Sequence, residues 1–206
     1  MIALLIAAVM VYFGLAHRAL DRMRLTDRQA LLVLVLMAAG SLLNFTLIAR
    51  PVVLRVNAGG SLIPAVVAVW LVATADTARE KQRAVLGTII TGGFMYALGR
   101  LLPSEPMQMF AEPTYLFGVI AGLAAYLTGR SRRGAFVAGV LGMLLSDLGQ
   151  YLWLVYRGLP GRTWLGGAGA FDSTVLAGLV GVAVAEVVGE AREAWQGGPR
   201  HRGERV

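Results

Sequence analysis

Seven long apolar stretches, joined by short polar segments, restrict what this chain can fold into. They span residues 1–16, 30–49, 51–74, 84–102, 114–128, 135–156 and 171–189. A helix crosses the hydrocarbon core of a bilayer with about 20 mostly apolar residues, within a usual range of roughly 17–25. Only 15% of the residues are charged, whereas about 25% are charged in a soluble domain. The pattern predicts an all-α, polytopic transmembrane helix bundle of about seven helices in one domain, 1–190, followed by a polar, disordered cytoplasmic tail, 191–206.

Lysine and arginine alternate between the joining segments. Of the 19 basic residues, 14 follow the first, third, fifth and seventh stretches, and 5 lie in the other segments. Loops rich in Lys and Arg stay in the cytoplasm, so we predict a multi-pass protein of the inner cell membrane with its N-terminus outside and its C-terminus cytoplasmic. Because the positive charge is divided among short loops, the net charge of +7 does not indicate a nucleic-acid-binding protein. The expected partner is the lipid bilayer, whose anionic head groups attract such loops.

The available ligand residues exclude several kinds of site. The chain has no Cys and only two His, His17 and His201, which lie in predicted cytoplasmic segments. A Cys-based or His-based metal site and a Ser–His catalytic pair are therefore not expected in the outer half of the membrane. We predict no metal and no cofactor. The first stretch begins at Met1 without basic residues before it, so we interpret it as a retained helix.

The third stretch is interrupted by the sequence Asn57-Ala58-Gly59-Gly60-Ser61-Leu62-Ile63-Pro64. A helix interrupted at membrane depth is tolerated only where protein or a water-filled cavity satisfies the freed backbone groups. Transporters often build binding sites at broken helices. We therefore predict a broken third helix; the alternative is an outer loop followed by a short third helix.

Polar residues inside the other apolar stretches are functional candidates, because such groups are expensive in the hydrocarbon core. Asp147 shares a helix face with Tyr151, beside the pair Ser146 and Gln150; its alternative role is a structural tie to an arginine or a backbone group in the bundle. In a cavity, Arg50 or Arg55 is its predicted partner, because an unpaired buried carboxylate would stay neutral. Asp172 opens the last stretch, where an Asp before Ser and Thr is also a natural N-cap. Under the predicted orientation these residues lie in the outer half of the membrane. We predict that one outward-facing cavity is lined by Asn57, Gly59, Gly60, Asp147, Gln150 and Asp172, with Asn44 either near it or in a helix–helix hydrogen bond.

Two further features are interpreted as structural. Glu186 lies near the inner end of the last stretch, where it can extend to the membrane surface or pair with the basic inner loops. Small residues at four-residue spacing, Gly118 with Gly122 and Ala177 with Gly181, let helix backbones approach closely in lipid. Packing inside the bundle is the favoured interpretation, and a homodimer through one of these faces is the alternative.

The segments Asn57–Pro64, Ser146-Asp147-Leu148 and Gly167-Ala168-Gly169-Ala170-Phe171-Asp172 resemble the motifs of a prokaryotic family of small polytopic membrane proteins, domain of unknown function sixteen-fourteen. The resemblance covers most of the chain from the second stretch onward. Ser173-Thr174 stands where that family's pattern has Gly-Ile, which weakens the match at this turn. The resemblance implies a bacterial or archaeal membrane protein and supplies no activity.

Three functions fit these features. The first is binding or transport of an ion, a proton or a small solute at the polar cavity. The second is a non-catalytic membrane scaffold or assembly factor, which needs the polar residues only for packing. The third is an intramembrane aspartyl protease, in which Asp147 and Asp172 share a proton and activate water. The placement of two Asp residues on consecutive helices is similar to presenilin-like proteases, but Ala170 and Phe171 separate Gly169 from Asp172 and no Pro-Ala-Leu element follows.

Overall fold

The computed structural model describes residues 25–102 and 112–195. This part of the chain forms six α-helices and three short β-strands. The helices are α1 (Asp27–Gly40), α2 (Ile63–Ala73), α3 (Ala78–Leu101), α4 (Pro113–Gly129), α5 (Arg132–Tyr156) and α6 (Ser173–Trp195). The strands are β1 (Asn44–Ile48), β2 (Val53–Asn57) and β3 (Arg162–Leu165).

Helix α5 is the centre of a bundle formed with α3, α4 and α6. Its N-terminal half is almost wholly buried, and Gly139 lies against the backbone of Ala177 in α6. The Gly118–Gly122 step of α4 faces Leu176 and Val180 of α6. Small residues therefore serve bundle packing inside this chain, as predicted, because a Cβ at either glycine of α4 would overlap those side chains.

Three of the described helices, α3, α5 and α6, are long and apolar enough to cross a membrane. Helix α4 has 17 residues, about 26 Å of helix, and matches the predicted stretch 114–128 closely. Helices α1 and α2 have 14 and 11 residues. The predicted first span, 1–16, lies outside the described residues, so the structure is compatible with a membrane protein without confirming seven spans.

The prediction of an all-helical chain is wrong between Ser41 and Asn57. Helix α1 ends at Gly40, and the rest of the predicted second helix, with the start of the third, forms a hairpin in which β1 pairs antiparallel with β2. Strand β3 adds to β2 in parallel and completes a sheet of order β1-β2-β3. Apolar, β-branched sequence serves a strand as well as it serves a membrane helix, which is why composition alone did not separate them.

The sheet packs against the C-terminal half of α5. Side chains alternate along β2, so that Leu54 and Val56 are buried while Arg55 between them is half-buried. Leu54 and Val56 join Leu165 of β3 and Tyr151 of α5 in one apolar cluster. This contact fixes the sheet beside the part of α5 that carries Asp147.

The third apolar stretch is interrupted at the predicted glycines, but it is not two halves of one helix. Strand β2 leads into a π-helical turn, Ala58–Leu62, and α2 begins only at Ile63, with Pro64 in its first turn. The stretch is therefore a strand followed by a short helix, close to the alternative stated above. At the other end of the chain, α6 continues to Trp195, beyond the predicted boundary at 190; residues 196–206 lie outside the described part.

Candidate functional site

The motifs Asn57–Pro64 and Gly166–Asp172 meet in the folded chain, beside the end of α1. Asn57 is 2% exposed and uses its side chain in three directions. Its Nδ2 donates to the carbonyl of Ser41 at 2.8 Å and to Oδ1 of Asn44 at 3.0 Å, while its Oδ1 accepts from the amide of Gly60 at 2.9 Å. A single amide side chain thus joins α1, β1 and the π-helical turn.

Glycines allow these segments to touch through their backbones. An added Cβ at Gly60 would lie 2.3 Å from the carbonyl oxygen of Gly166, and one at Gly59 would lie 2.0 Å from that of Met37. Gly166 and Gly169 have φ of 68° and 65°, values that a residue with a Cβ rarely adopts. We call this contact the motif junction; it consists of residues 57–62 and 166–172 with Ser41.

Ser41 is a member of the junction that sequence reasoning missed. Its Oγ donates to the carbonyl of Met37 at 2.7 Å and accepts from the amide of Ala170 at 2.8 Å. Ser41 and Ala170 are 129 positions apart in the sequence. A serine just past Gly40 is an ordinary helix-end residue, so nothing in its sequence surroundings indicates this long-range contact.

Asp172 completes the junction and caps α6. Its Oδ1 accepts from the amide of Thr174 at 2.9 Å and from the hydroxyl of Ser173 at 3.3 Å, and its Oδ2 accepts from the amide of Ala168 at 3.1 Å. The residue is 8% exposed. Both carboxylate oxygens are therefore occupied by the N-cap of α6 and by the glycine-rich loop before it.

Asp147 lies in a different setting, a cavity of about 610 Å³ formed by α3, α4, α5 and the start of α6. We call it the Asp147 cavity. Helix α5 contributes Ser146, Asp147 and Gln150, which share one face through i, i+3 and i, i+4 spacing. The other polar lining residues are Tyr96, Arg100, Thr114 and Ser173.

The two charged residues that line this cavity, Asp147 and Arg100, differ in their contacts. Within the described residues Asp147 forms no ion pair and accepts no hydrogen bond. Arg100 stacks on the ring of Trp153, with its guanidinium carbon 3.6 Å from the ring centroid. Trp153 and Arg100 both line the cavity, so a cation, an aromatic ring and a carboxylate lie around one space.

The structure thus divides the residues predicted to share one cavity. Asp147 and Gln150 line the Asp147 cavity, whereas Asn57, Gly59, Gly60 and Asp172 are packed in the motif junction; Ser173, next to Asp172, is where the two meet. Asn44 is bonded to Asn57 rather than to a neighbouring helix. The predicted partner Arg55 instead lies over the ring of Trp164, 5.1 Å from its centroid.

Sequence reasoning also missed Arg100, Tyr96 and Thr114. Arg100 carried a usable signal, because it is the only basic residue at the predicted outer end of α3. The described residues contain no group of three or more His, Cys, Asp or Glu side chains that could hold a metal ion.

At the other end of α5, charged residues join the helices. Arg132, the first residue of α5, forms an ion pair with Glu186 of α6, as the position of Glu186 predicted. Nη1 of Arg133 lies 3.7 Å from Glu80 and 3.8 Å from Asp76. The two halves of α5 therefore differ: Asp147 lines a cavity in the C-terminal half, and a group of arginines lies at the N-terminal end.

Comparison with known proteins connects these features to one family. A family model described as "Protein of unknown function (DUF1614)" matches residues 4–184, which include both segments of the motif junction and Asp147. No curated protein and no solved structure matches the chain.

Proposed function

The chain belongs to the DUF1614 family of proteins of unknown function, and we propose that it is a multi-pass membrane protein that binds a small cation, or a small solute bearing a positive charge, in the Asp147 cavity. One observation carries the proposal: Asp147 lines a large polar cavity and has no ion-pair or hydrogen-bond partner among the described residues.

The size and lining of the cavity suit a small molecule. Ligand pockets usually measure about 300–1,000 Å³ and place a few polar groups among apolar walls. Here Met95, Phe117 and Met143 supply apolar wall, and hydroxyl and amide side chains surround the carboxylate. A carboxylate in such surroundings favours a positive partner, because an unpaired charge away from water is expensive.

The predicted orientation of the helices indicates on which side of the membrane the Asp147 cavity lies. Helices α3 and α5 both run from their basic starts towards the end where Asp147 lies, since Arg79 and Lys81 begin α3 and Arg132 begins α5. Cytoplasmic placement of these basic starts puts the Asp147 cavity on the outer side. Binding, and transport if a second conformation opens inward, would therefore begin from outside the cell.

The geometry favours binding over proteolysis. An aspartyl protease needs two carboxylates that share a proton and reach one water molecule. Asp172 is instead committed to three hydrogen bonds in the motif junction, and it does not line the cavity. A non-catalytic scaffold makes a different prediction, which is that removal of the Asp147 charge changes nothing but stability.

The test is a binding titration of the purified protein in nanodiscs, followed by tryptophan fluorescence, since Trp153 lies in the cavity wall. Sodium, potassium, magnesium and small alkylammonium salts are compared at matched ionic strength, together with a proton titration. We expect one of these to change the fluorescence of the wild type and to lose its effect in Asp147→Asn.

Glu190→Gln is the matched control, because it removes one carboxylate charge from an exposed position of α6 outside the cavity. It should titrate as the wild type does. Identical responses of the wild type and Asp147→Asn to every probe would refute cation binding at this site and leave the scaffold as the better explanation.

A further inference from the structure

A second cavity lies where α4 ends and α5 begins, about 22 Å along α5 from Asp147 by helical rise. Its volume is about 470 Å³. Four arginines line it: Arg130, Arg132, Arg133 and Arg192. We call it the arginine pocket. Tyr126 and Ser131 add a phenol and a hydroxyl, and Asp76 and Glu80 are the two acids in its wall.

Two of the four guanidinium groups are buried. Arg132 and Arg133 are 8% and 6% exposed, although arginine is almost never fully buried unless it is paired. Arg132 is held by Glu186. The contacts of Arg133 to Glu80 and Asp76, at 3.7 and 3.8 Å, are longer than the roughly 2.7–2.9 Å of a charge-assisted hydrogen bond.

Arg133 consequently has donors left over. Its Nε is buried and has no hydrogen-bond partner among the described residues. A buried donor without an acceptor costs free energy, so such a group is usually satisfied by an ordered water or a bound ligand. The exposed Arg130 and Arg192 form no ion pair within the described residues, so four arginines share the pocket wall with two acids, Asp76 and Glu80.

The backbone at this point also favours an anion. Arg132 and Arg133 are the first two residues of α5, and Ser131 caps the helix by accepting from the amide of Gly134 at 3.0 Å. The amides of a first helical turn have no acceptor within the helix and carry the positive end of its dipole. Arginine forks and helix N-termini both recognise phosphate oxygens.

We propose that the arginine pocket binds a phosphate group, supplied either by the head group of an anionic phospholipid or by a soluble phosphate. The pocket lies at the ends of helices long enough to cross a membrane, which is where lipid head groups are found. Basic pockets between membrane helices on the cytoplasmic side are known to hold such head groups. This site is separate from the Asp147 cavity and does not depend on the function proposed there.

Native mass spectrometry of the purified protein tests the lipid source. The protein is mixed with phosphatidylcholine alone or with an equal mixture of phosphatidylcholine and phosphatidylglycerol, and bound lipids are counted after mild activation. We expect selective retention of phosphatidylglycerol by the wild type. The double change Arg130→Gln and Arg192→Gln should reduce its affinity about tenfold or more, because each charged hydrogen bond contributes on that scale.

Arg83→Gln, paired with Arg79→Gln, is the matched control. It removes two exposed charges from the start of α3, outside the pocket, and should retain phosphatidylglycerol as the wild type does. Arg130 and Arg192 are exposed and unpaired, so their loss should not unfold the protein. The thermal unfolding midpoint of each variant, measured in phosphatidylcholine nanodiscs, checks this point.

A second experiment, with inorganic phosphate, tests whether the ligand is a soluble phosphate. If phosphate raises the unfolding midpoint above that in chloride at equal ionic strength, and the pocket double variant abolishes the rise, the ligand is a soluble phosphate. If only phosphatidylglycerol acts through the pocket, the ligand is lipid. The proposal is overturned if neither probe distinguishes the pocket double variant from the control double variant.

Discussion

Asp172 and Asp147 have the same side chain but different surroundings, and this difference sets their roles. Both carboxylate oxygens of Asp172 accept hydrogen bonds, from the amides of Ala168 and Thr174 and from the hydroxyl of Ser173. Neither carboxylate oxygen of Asp147 accepts a hydrogen bond from a described residue. A carboxylate that is fully bonded stabilises the fold, whereas one left unbonded at a cavity is available to a ligand.

The first prediction compares the two residues by stability. Asp172→Ala removes an N-cap and leaves the amide of Ala168 without its acceptor, so we expect the free energy of unfolding to fall by about 1–3 kcal/mol. Asp147→Ala should leave it unchanged or raise it, because the change removes an unpaired charge and breaks no ion pair or hydrogen bond with a described residue. Denaturant unfolding in detergent measures both; an equal loss from the two variants would show that Asp147 is also structural.

The second prediction concerns the glycines of the motif junction. Gly60→Ala places a methyl group 2.3 Å from the carbonyl oxygen of Gly166, so backbones must separate. Overpacking of this kind costs about 1–3 kcal/mol or more. Gly93→Ala in α3 is the matched control, since an added Cβ there meets nothing within 4 Å. A helical Gly→Ala change in open space should instead stabilise by about 0.5–1 kcal/mol.

Thermal unfolding in the same detergent measures this pair. The unfolding midpoint should fall for Gly60→Ala and rise for Gly93→Ala. Similar midpoints for Gly60→Ala and the wild type would mean that the π-helical turn does not press on the loop at Gly166.

At the scale of elements, the sheet differs most from the sequence-based prediction, because its strands β1 and β2 lie in segments that predict helix. Leu54 of β2 is 5% exposed, in contact with the buried cluster on α5, whereas Leu47 of β1 is 62% exposed. Leu54→Ala should therefore cost about 2–5 kcal/mol, and Leu47→Ala should cost little. The sequence instead predicts Leu47 in the second apolar stretch, 30–49, and Leu54 in the third, 51–74, and two separate membrane helices give no reason to expect this contrast. Unfolding midpoints of the two variants provide the measurement.

The long helices could be predicted from the sequence because a single rule governs them. An apolar run bounded by caps and charges predicts a helix, and the predicted 114–128 falls inside the observed Pro113–Gly129. The segment 44–57 could not be assigned this way. Its apolar residues suit a strand or a helix equally, and the choice depends on contacts with α5 and with β3, more than 100 residues later in the chain.

The candidate site divides along the same line. Asp147 and Gln150 could be predicted together, because the four-residue spacings Ser146–Gln150 and Asp147–Tyr151 place these side chains on one helix face. Arg100, Thr114 and Ser173 belong to three other helices, and their arrival at the same cavity depends on how α3, α4 and α6 pack against α5. Local spacing cannot supply that information, and neither could it show that Asp172 turns inward to the motif junction.

At the scale of the molecule, charge is divided between the two ends of the bundle. Four arginines line the arginine pocket beside the start of α5, while Asp147 and Arg100 line the Asp147 cavity towards its other end without forming an ion pair. In a bilayer, a basic end held in the cytoplasm orients the whole bundle. The side from which each cavity is reached therefore follows from one orientation, which a single experiment can determine.

The last prediction tests that orientation by cysteine labelling. The chain contains no Cys, so an introduced thiol is unique. Arg157→Cys lies just past the end of α5 and Arg83→Cys near the start of α3, and both positions are exposed. In intact cells we expect a membrane-impermeant maleimide to label position 157, and to label position 83 only after the membrane is permeabilised. The reverse pattern would place the Asp147 cavity on the cytoplasmic side and the arginine pocket outside. Binding at Asp147 would then begin from the cytoplasm, and the phosphate source would have to be found in the outer leaflet.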